Sequence, residues 1–222
     1  MLLNTQEDID IAEAWAKVAA DKDSSILTSI YEDNTNIAIW QRQHQQALET
    51  YAKQWCEQRP THTPRLLLSL NNASQALDEL LPELEYKSEF LQDIVLLVDM
   101  FACLFDVDEV GLRLTPLSQA MCPKFHVDNI PCRLVTTYGG VGTQWLLEDN
   151  VNRNYLGRGG NGLPDHKSGI LQGDKAIQQL HSQQVGLLKG SGWEGNENFG
   201  LVHRSPALEA EQMRLLLTLD FS

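Results

Sequence analysis

The chain has 222 residues, of which 42% are hydrophobic and 21% charged, and this composition is typical of a folded globular protein with a sizeable core. Its formal net charge is -13 at pH 7, and it contains no run of Lys or Arg. A nucleic-acid surface is therefore not expected, because contacts to phosphates need clustered basic side chains.

The four cysteines form no CxxC motif, so neither a zinc ribbon nor a thioredoxin-like redox motif is predicted. The first residues are acidic and lack the basic and apolar regions of a secretory signal. The most apolar segment, residues 90–105, is interrupted by Asp93 and Asp99 and is too short to span a bilayer. We expect a cytoplasmic protein with free thiols and no membrane span.

Residues 1–108 are predicted to be mainly helical. Apolar residues recur at helical spacing in four segments, residues 9–20, 43–59, 72–81 and 88–105. One short β-rich segment, residues 35–42, is predicted to be a strand. The helical half could bury an apolar face against a second copy of the chain, which leaves a homodimer open.

Residues 109–222 have a different texture, in which short apolar runs alternate with Gly, Asn, Asp and Pro. Short strands separated by turn signals are typical of a β-sandwich or barrel. Residues 150–170 are polar and rich in Gly and Asn, and they predict a long loop that is functional or mobile. The expected fold class is α+β, with a helical region 1–108 and a β-rich region 109–222 packed as one compact unit.

Three pieces of the second region suit one metal site: the His126-Val127-Asp128 motif, His203 and Arg214. Residues i and i+2 of a strand point to the same face, so His126 and Asp128 could reach one metal. Two His and one carboxylate leave open positions on the ion, which is the facial triad of non-haem Fe(II) oxygenases. Each piece alone also fits a bland interpretation, a surface His with a turn Asp for His126 and Asp128 and a structural histidine at a strand end for His203.

Arg214 is the one basic residue in the apolar run MRLLLTLDF. If its side chain points inward it needs an anionic partner, because a buried unpaired charge is very costly. A bound carboxylate would meet that need through a two-pronged hydrogen bond. The alternative is an Arg at an exposed strand edge.

The segment from Arg133 to Tyr138 is predicted to be a strand that ends in a Gly-rich turn. Alternation puts Arg133 on one face and Thr136 with Tyr138 on the other. Gly139 and Gly140 permit a tight turn or a close backbone approach.

The order of these motifs resembles the 2-oxoglutarate/Fe(II) oxygenase superfamily, in particular its prolyl-hydroxylase-like and AlkB-like members. The shared elements are HxD, Arg-x-x-Thr-x-Tyr, a Gly-rich turn with Thr, a distal His and a following Arg. Over most of its length the chain also resembles a bacterial family, the domain-of-unknown-function family 1826. The segments that carry this second resemblance are NIAIWQR, FHVDNIPCRLVTTYGGVGTQWL, LLKGSGW and LVHRSP.

The superfamily resemblance implies a double-stranded β-helix (jelly-roll, cupin-like) core and Fe(II) and 2-oxoglutarate as cofactors. It makes His126, Asp128 and His203 the iron ligands. It also implies that a small molecule or a protein side chain is hydroxylated, without saying which.

The resemblance assigns the distal carboxylate of 2-oxoglutarate to Arg214, with Arg204 as a competitor for that role. Tyr138 or Thr136 would add a hydrogen bond to the co-substrate. Further candidates for the pocket are Arg133, Trp145 and Trp193, with the loop 150–170 at the mouth. Trp145 also fits an ordinary core position.

Two other functions remain open from the residues alone. Cys122, His126, Cys132 and His203 offer the N and S ligands that zinc prefers, which would make the protein a zinc-binding or metal-handling module. The third reading is a non-catalytic jelly-roll domain that binds a partner or a small ligand, because fold alone does not imply catalysis.

Overall fold

The computed structural model describes residues 17–58, 65–173 and 177–222, which form ten β-strands and four α-helices. The strands are β1 Lys17–Asp21, β2 Thr35–Trp40, β3 Arg65–Ser69, β4 Glu109–Leu117, β5 Cys132–Tyr138, β6 Gln144–Leu146, β7 Ile177–Gln179, β8 Val185–Lys189, β9 His203–Arg204 and β10 Arg214–Phe221. The α-helices are α1 Gln46–Glu57, α2 Ala73–Leu80, α3 Lys87–Phe105 and α4 Asp165–Ser168. Short 3-10 helices cover Ser24–Tyr31, Glu148–Asn150, Arg153–Tyr155 and Gly157–Gly160.

The strands form a large and a small sheet. The large sheet has seven strands in the order β1-β2-β8-β5-β10-β4-β3, and the small sheet has three in the order β7-β6-β9. β1 and β2 pair in parallel, whereas the other pairs are antiparallel. The result is a mixed α/β architecture whose large sheet contains strands from both sides of the boundary predicted at residue 108.

The two faces of the large sheet have different partners. α1, α2 and α3 cover one face, and the main hydrophobic core lies between them and the sheet. The small sheet packs on the other face through a second cluster that includes Val135, Trp145 and Leu188. None of the helices in the described ranges is both long and apolar enough to cross a membrane.

β10 lies near the middle of the large sheet and shows how one strand serves both faces. Its side chains alternate, as the strand period requires. Leu215 and Leu217 lie in the main core, whereas Arg214, Leu216 and Thr218 line a cavity on the side of the small sheet. The polar positions of this apolar strand are therefore the ones that face the cavity.

The helices predicted within residues 43–59, 72–81 and 88–105 are present as α1, α2 and α3, and the strand predicted within 35–42 is present as β2. The helix predicted at 9–20 lies mostly outside the described residues, and its described end belongs to strand β1. β1 and β3 were not expected.

A buried network of polar side chains joins α3 to β5 and to the segment after β2. Asp93 on α3 forms a two-pronged ion pair with Arg42, with N–O distances of 2.5 and 3.1 Å. The hydroxyl of Tyr138 donates to the same carboxylate. Arg42 also donates from Nε to the carbonyl of Gln183. Both carboxylate oxygens of Asp93 therefore accept hydrogen bonds from groups inside the protein.

Asp93→Ala is expected to lower the free energy of unfolding by about 3–5 kcal/mol, because it leaves the Arg42 guanidinium buried without its partner. Urea denaturation of the purified protein measures this effect. Glu83→Ala is the matched control, since it breaks an exposed ion pair with Lys87 and should change stability little. Equal losses in the free energy of unfolding for the two variants would contradict the assignment of Asp93 as the buried partner that stabilises Arg42.

Candidate metal centre

Backbone pairing brings the two predicted metal-binding histidines together. The amide of His126 donates to the carbonyl of His203 at 3.0 Å, and the amide of His203 donates back at 2.9 Å. Asp128 follows two residues after His126, and one ligand atom from each of the three lies within 4.8 Å of the others. The structure thus groups the three side chains that the sequence selected.

Each imidazole is oriented by a hydrogen bond on the side away from the carboxylate. Nδ1 of His126 lies 2.9 Å from the carbonyl of Lys124, and Nδ1 of His203 lies 3.1 Å from that of Leu201. A ring nitrogen that faces a carbonyl carries the proton, so Nε2 of each ring keeps a lone pair. These two Nε2 atoms lie 3.6 and 3.5 Å from the carboxylate of Asp128.

The protonation states also suit a metal. Burial lowers the pKa of His126, and the nearby ring of His203 lowers it further, so His126 is neutral at pH 7. Burial by itself raises the pKa of Asp128, but His203, Arg133 and His126 outweigh burial and bring the pKa down to about 2. Metal ligands must be deprotonated, and His126 and Asp128 meet this condition.

Arg133 holds the carboxylate of Asp128 in place. Its Nη1 donates to Oδ2 of Asp128 at 2.6 Å, while its Nε donates to Asp220 at 2.6 Å. The register of β5 against β10 brings Arg133 and Asp220 together on the face of the small sheet. Asp128 retains its other oxygen for a further partner.

Arg214 is the largest fully buried side chain of the described chain, with 1% of its surface exposed. It donates to the carbonyl of Val141 at 3.0 Å and to Oγ of Ser205 at 2.8 Å, while its Nε has no partner. No carboxylate in the described ranges pairs with it. Burial lowers its pKa to about 10, so it stays charged at pH 7. A buried cation with neutral partners calls for an anion.

Arg204, the competing arginine, already has a carboxylate. Its Nη1 donates to Asp165 at 2.8 Å and its Nε to Gln144 at 2.9 Å, and the guanidinium lies 4.3 Å from the ring centroid of Phe125. Its charge is therefore neutralised within the protein, whereas that of Arg214 is not.

One small cavity of about 60 Å³ connects these groups. Basic side chains dominate its polar wall, which includes His126, His203, Arg113, Arg133, Arg204 and Arg214. Within this wall Arg133 and Arg204 have acidic partners. The surplus of positive charge favours an anionic occupant.

Tyr138 and Thr136 do not line this cavity, and a contact from either of them to a co-substrate stays a prediction. The Tyr138 hydroxyl is used by Asp93, and its ring packs 4.6 Å from that of Phe90. Thr136 pairs in register with Leu217, a residue of the main core. Both side chains belong to the face covered by helices.

The two tryptophans also lie elsewhere. Trp145 is buried in the cluster between the sheets, and Trp193 packs against Tyr31 and Phe105 on the helical side. The loop 150–170 is folded into short helical turns beside the HxD segment. Within this loop, the carboxylate of Asp165 accepts a hydrogen bond from the backbone amide of Phe125 at 3.1 Å.

The zinc site predicted from Cys122, His126, Cys132 and His203 is wrong. Cys132 is fully buried in the main core, on the opposite face of the large sheet from the two histidines. Cys122 is exposed and lines the cavity. The strand alternation that carries Arg133 to the cavity carries Cys132 away from it.

Sequence reasoning missed three residues of the site: Arg113, Asp165 and Asp220. Arg113 had the same signal as Arg214, a single basic residue in an apolar strand, VGLRLTPL. Asp165 had none, because its contact to Arg204 depends on the path of the loop.

A large sheet faced by a small one, with two His and a carboxylate grouped between them, defines a protein with a candidate mononuclear metal centre. The chain belongs to the DUF1826 family of proteins of unknown function, whose family model matches residues 21–220. No protein with a curated description matches it.

Several solved structures are similar in outline, and two of them serve as examples. The dioxygenase for auxin oxidation 1 from Arabidopsis thaliana, solved with 2-oxoglutarate, is 11% identical, with 91% of each chain covered and a TM-score of 0.47. A putative oxygenase from Shewanella oneidensis is 12% identical, with 92% of this chain and 88% of that chain covered and a TM-score of 0.43.

Proposed function

We propose that this protein is an Fe(II)- and 2-oxoglutarate-dependent oxygenase whose two facing sheets form a jelly-roll core. The observation that carries the proposal is the presence of Arg214, a buried cation without an acidic partner, in the cavity that also holds His126 and His203. A metal triad alone fits many functions, but a triad joined to a buried carboxylate receptor fits a chelating keto acid.

The residues have distinct roles in this proposal. His126, Asp128 and His203 hold the ion, with the two imidazoles offering Nε2. Arg133 keeps the carboxylate of Asp128 oriented, as the outer partners of metal ligands do. Arg214 and Ser205 receive the distal carboxylate of 2-oxoglutarate. Bound iron with 2-oxoglutarate and oxygen supplies the oxidation of an unreactive C–H bond to an alcohol.

The protein itself contributes orientation and the exclusion of water. The cavity is narrow, and the guanidinium of Arg214 is fixed by the carbonyl of Val141 and the hydroxyl of Ser205 before any ligand binds. Such a receptor does not need to reorganise, which favours tight and selective binding. The substrate is a small molecule or a protein side chain.

The test is to purify the protein without oxygen, load it with Fe(II), and measure iron content, 2-oxoglutarate binding by calorimetry, and succinate formed after oxygen is admitted. We expect about one iron per chain and slow succinate formation even without a substrate. A wild-type protein that binds neither iron nor 2-oxoglutarate would rule the proposal out. Metal binding without 2-oxoglutarate binding would favour a metal-handling role.

A further inference from the structure

Arg113 is a second cavity arginine without an acidic partner. It lies on β4, and its Nε is buried with no hydrogen-bond partner. No ion pair or hydrogen bond joins its side chain to any part of the chain that the structure describes. Its cross-strand neighbour on β3 is Arg65, a like charge directly opposite, which is unfavourable.

β10 is the other neighbour of β4 in the sheet, and its Thr218 pairs in register with Arg113. It lines the same cavity, and its Oγ1 is also buried without a partner. Unpaired buried polar atoms are rare and costly. Two of them facing each other across adjacent strands indicate a ligand that accepts from a guanidinium and a hydroxyl at once.

Arg214 has partners of its own in this cavity. Its guanidinium is held by the carbonyl of Val141 and the hydroxyl of Ser205, whereas Thr218 lies four residues away along β10, which corresponds to about 13 Å of strand. The group that Arg113 and Thr218 would hold is therefore assigned separately from the carboxylate at Arg214. Gly111 and the exposed Leu67, which pair in register, leave the sheet beyond Arg113 open and partly apolar.

We propose that Arg113 and Thr218 bind the acidic group of the primary substrate, which is a small organic acid with an apolar body. This inference rests on the proposed function, because it names the substrate class of the same site. Arg113 donates to the acid, Thr218 adds its hydroxyl, and the apolar part lies over Leu67 and Gly111.

The experiment uses the iron-loaded protein, without oxygen and with saturating 2-oxoglutarate. Its thermal midpoint is measured with hexanoate, benzoate and phenylacetate, and with the corresponding amides. We expect at least one acid to raise the midpoint while its amide does not. Arg113→Gln should abolish that shift, and Thr218→Val should weaken binding of the acid about 10-fold or more.

Thr136→Val is the matched control, because Thr136 also has a buried hydroxyl without a partner but lies on the helical face. It should leave acid binding unchanged. Without any ligand, Arg113→Gln should raise the midpoint by about 2–4 °C, because it removes an unpaired charge beside Arg65. A residue kept only for the fold would show the opposite sign.

The outcomes separate the two proposals. If wild-type protein binds iron and 2-oxoglutarate but prefers no acid over its amide, or if Arg113→Gln responds as wild type, the acid site is ruled out and the oxygenase assignment stands. If acids bind through Arg113 in a protein that takes up neither iron nor 2-oxoglutarate, the acid site stands and the oxygenase assignment fails.

Discussion

The His126→Ala protein is expected to keep its fold and lose its iron. In the proposed function the triad supplies all three side-chain ligands, so removal of one imidazole would leave two groups that hold the ion weakly. We expect the affinity for Fe(II) to fall by at least about 100-fold, since even outer partners of metal ligands contribute 10–100-fold. Elemental analysis after desalting measures the iron content, and the far-ultraviolet circular dichroism spectrum shows whether the fold is kept.

His166→Ala is the control for this substitution. His166 is an exposed histidine on α4, so its loss removes an imidazole without touching the triad. The control should retain about one iron per chain. Iron that stays bound in His126→Ala at the wild-type level would place the metal elsewhere in the protein.

Arg214→Met is expected to weaken 2-oxoglutarate binding strongly and leave iron binding intact. Among the described residues the buried guanidinium of Arg214 has hydrogen bonds to a carbonyl and a hydroxyl and no acidic partner, so its loss would leave the distal carboxylate of a bound co-substrate unpaired. Truncating one partner of a buried charge pair costs about 2–5 kcal/mol, which is roughly 30-fold to several thousandfold in Kd. Calorimetry on the iron-loaded protein under nitrogen measures the change.

Arg204→Met decides between the two arginines. Arg204 already pairs with Asp165, so its loss should reduce stability and change the Kd for 2-oxoglutarate only a few-fold. If instead Arg204→Met causes the large loss of 2-oxoglutarate affinity and Arg214→Met changes the Kd only a few-fold, the receptor is Arg204 and the role given to Arg214 is refuted. In the absence of ligand, Arg214→Met should be more stable than wild type, because an unpaired buried charge is removed.

The grouping of His126, Asp128 and His203 could be predicted because its geometry is partly local. In His126-Val127-Asp128, a spacing of two is enough to point both side chains the same way. Arg214 stood out as a charge in an apolar strand. The positions of Tyr138 and Cys132 could not be settled in this way, although alternation already separated Tyr138 from Arg133. Which face meets the cavity depends on the packing of both sheets.

The fold was harder to predict from the sequence than the grouping of the candidate site residues. β1 falls in a stretch whose apolar spacing suits a helix, yet parallel pairing with β2 makes it a strand, since tertiary context overrides local preference. β3 is an edge strand of only five residues, which offers little periodicity. The helices α1, α2 and α3 have apolar residues at helical spacing, and the pattern identified all three.

The antiparallel bridge between His126 and His203 also sets the order in which the centre is assembled. Backbone hydrogen bonds between His126 and His203 hold the two imidazoles side by side without an ion, although the two residues come from segments far apart in sequence. In the proposed function iron would therefore enter an already folded protein, unlike the zinc of a zinc finger, whose binding drives folding. Under that function the ion would add stability by mass action, and protein made without iron is expected to be folded and to take up the metal without refolding.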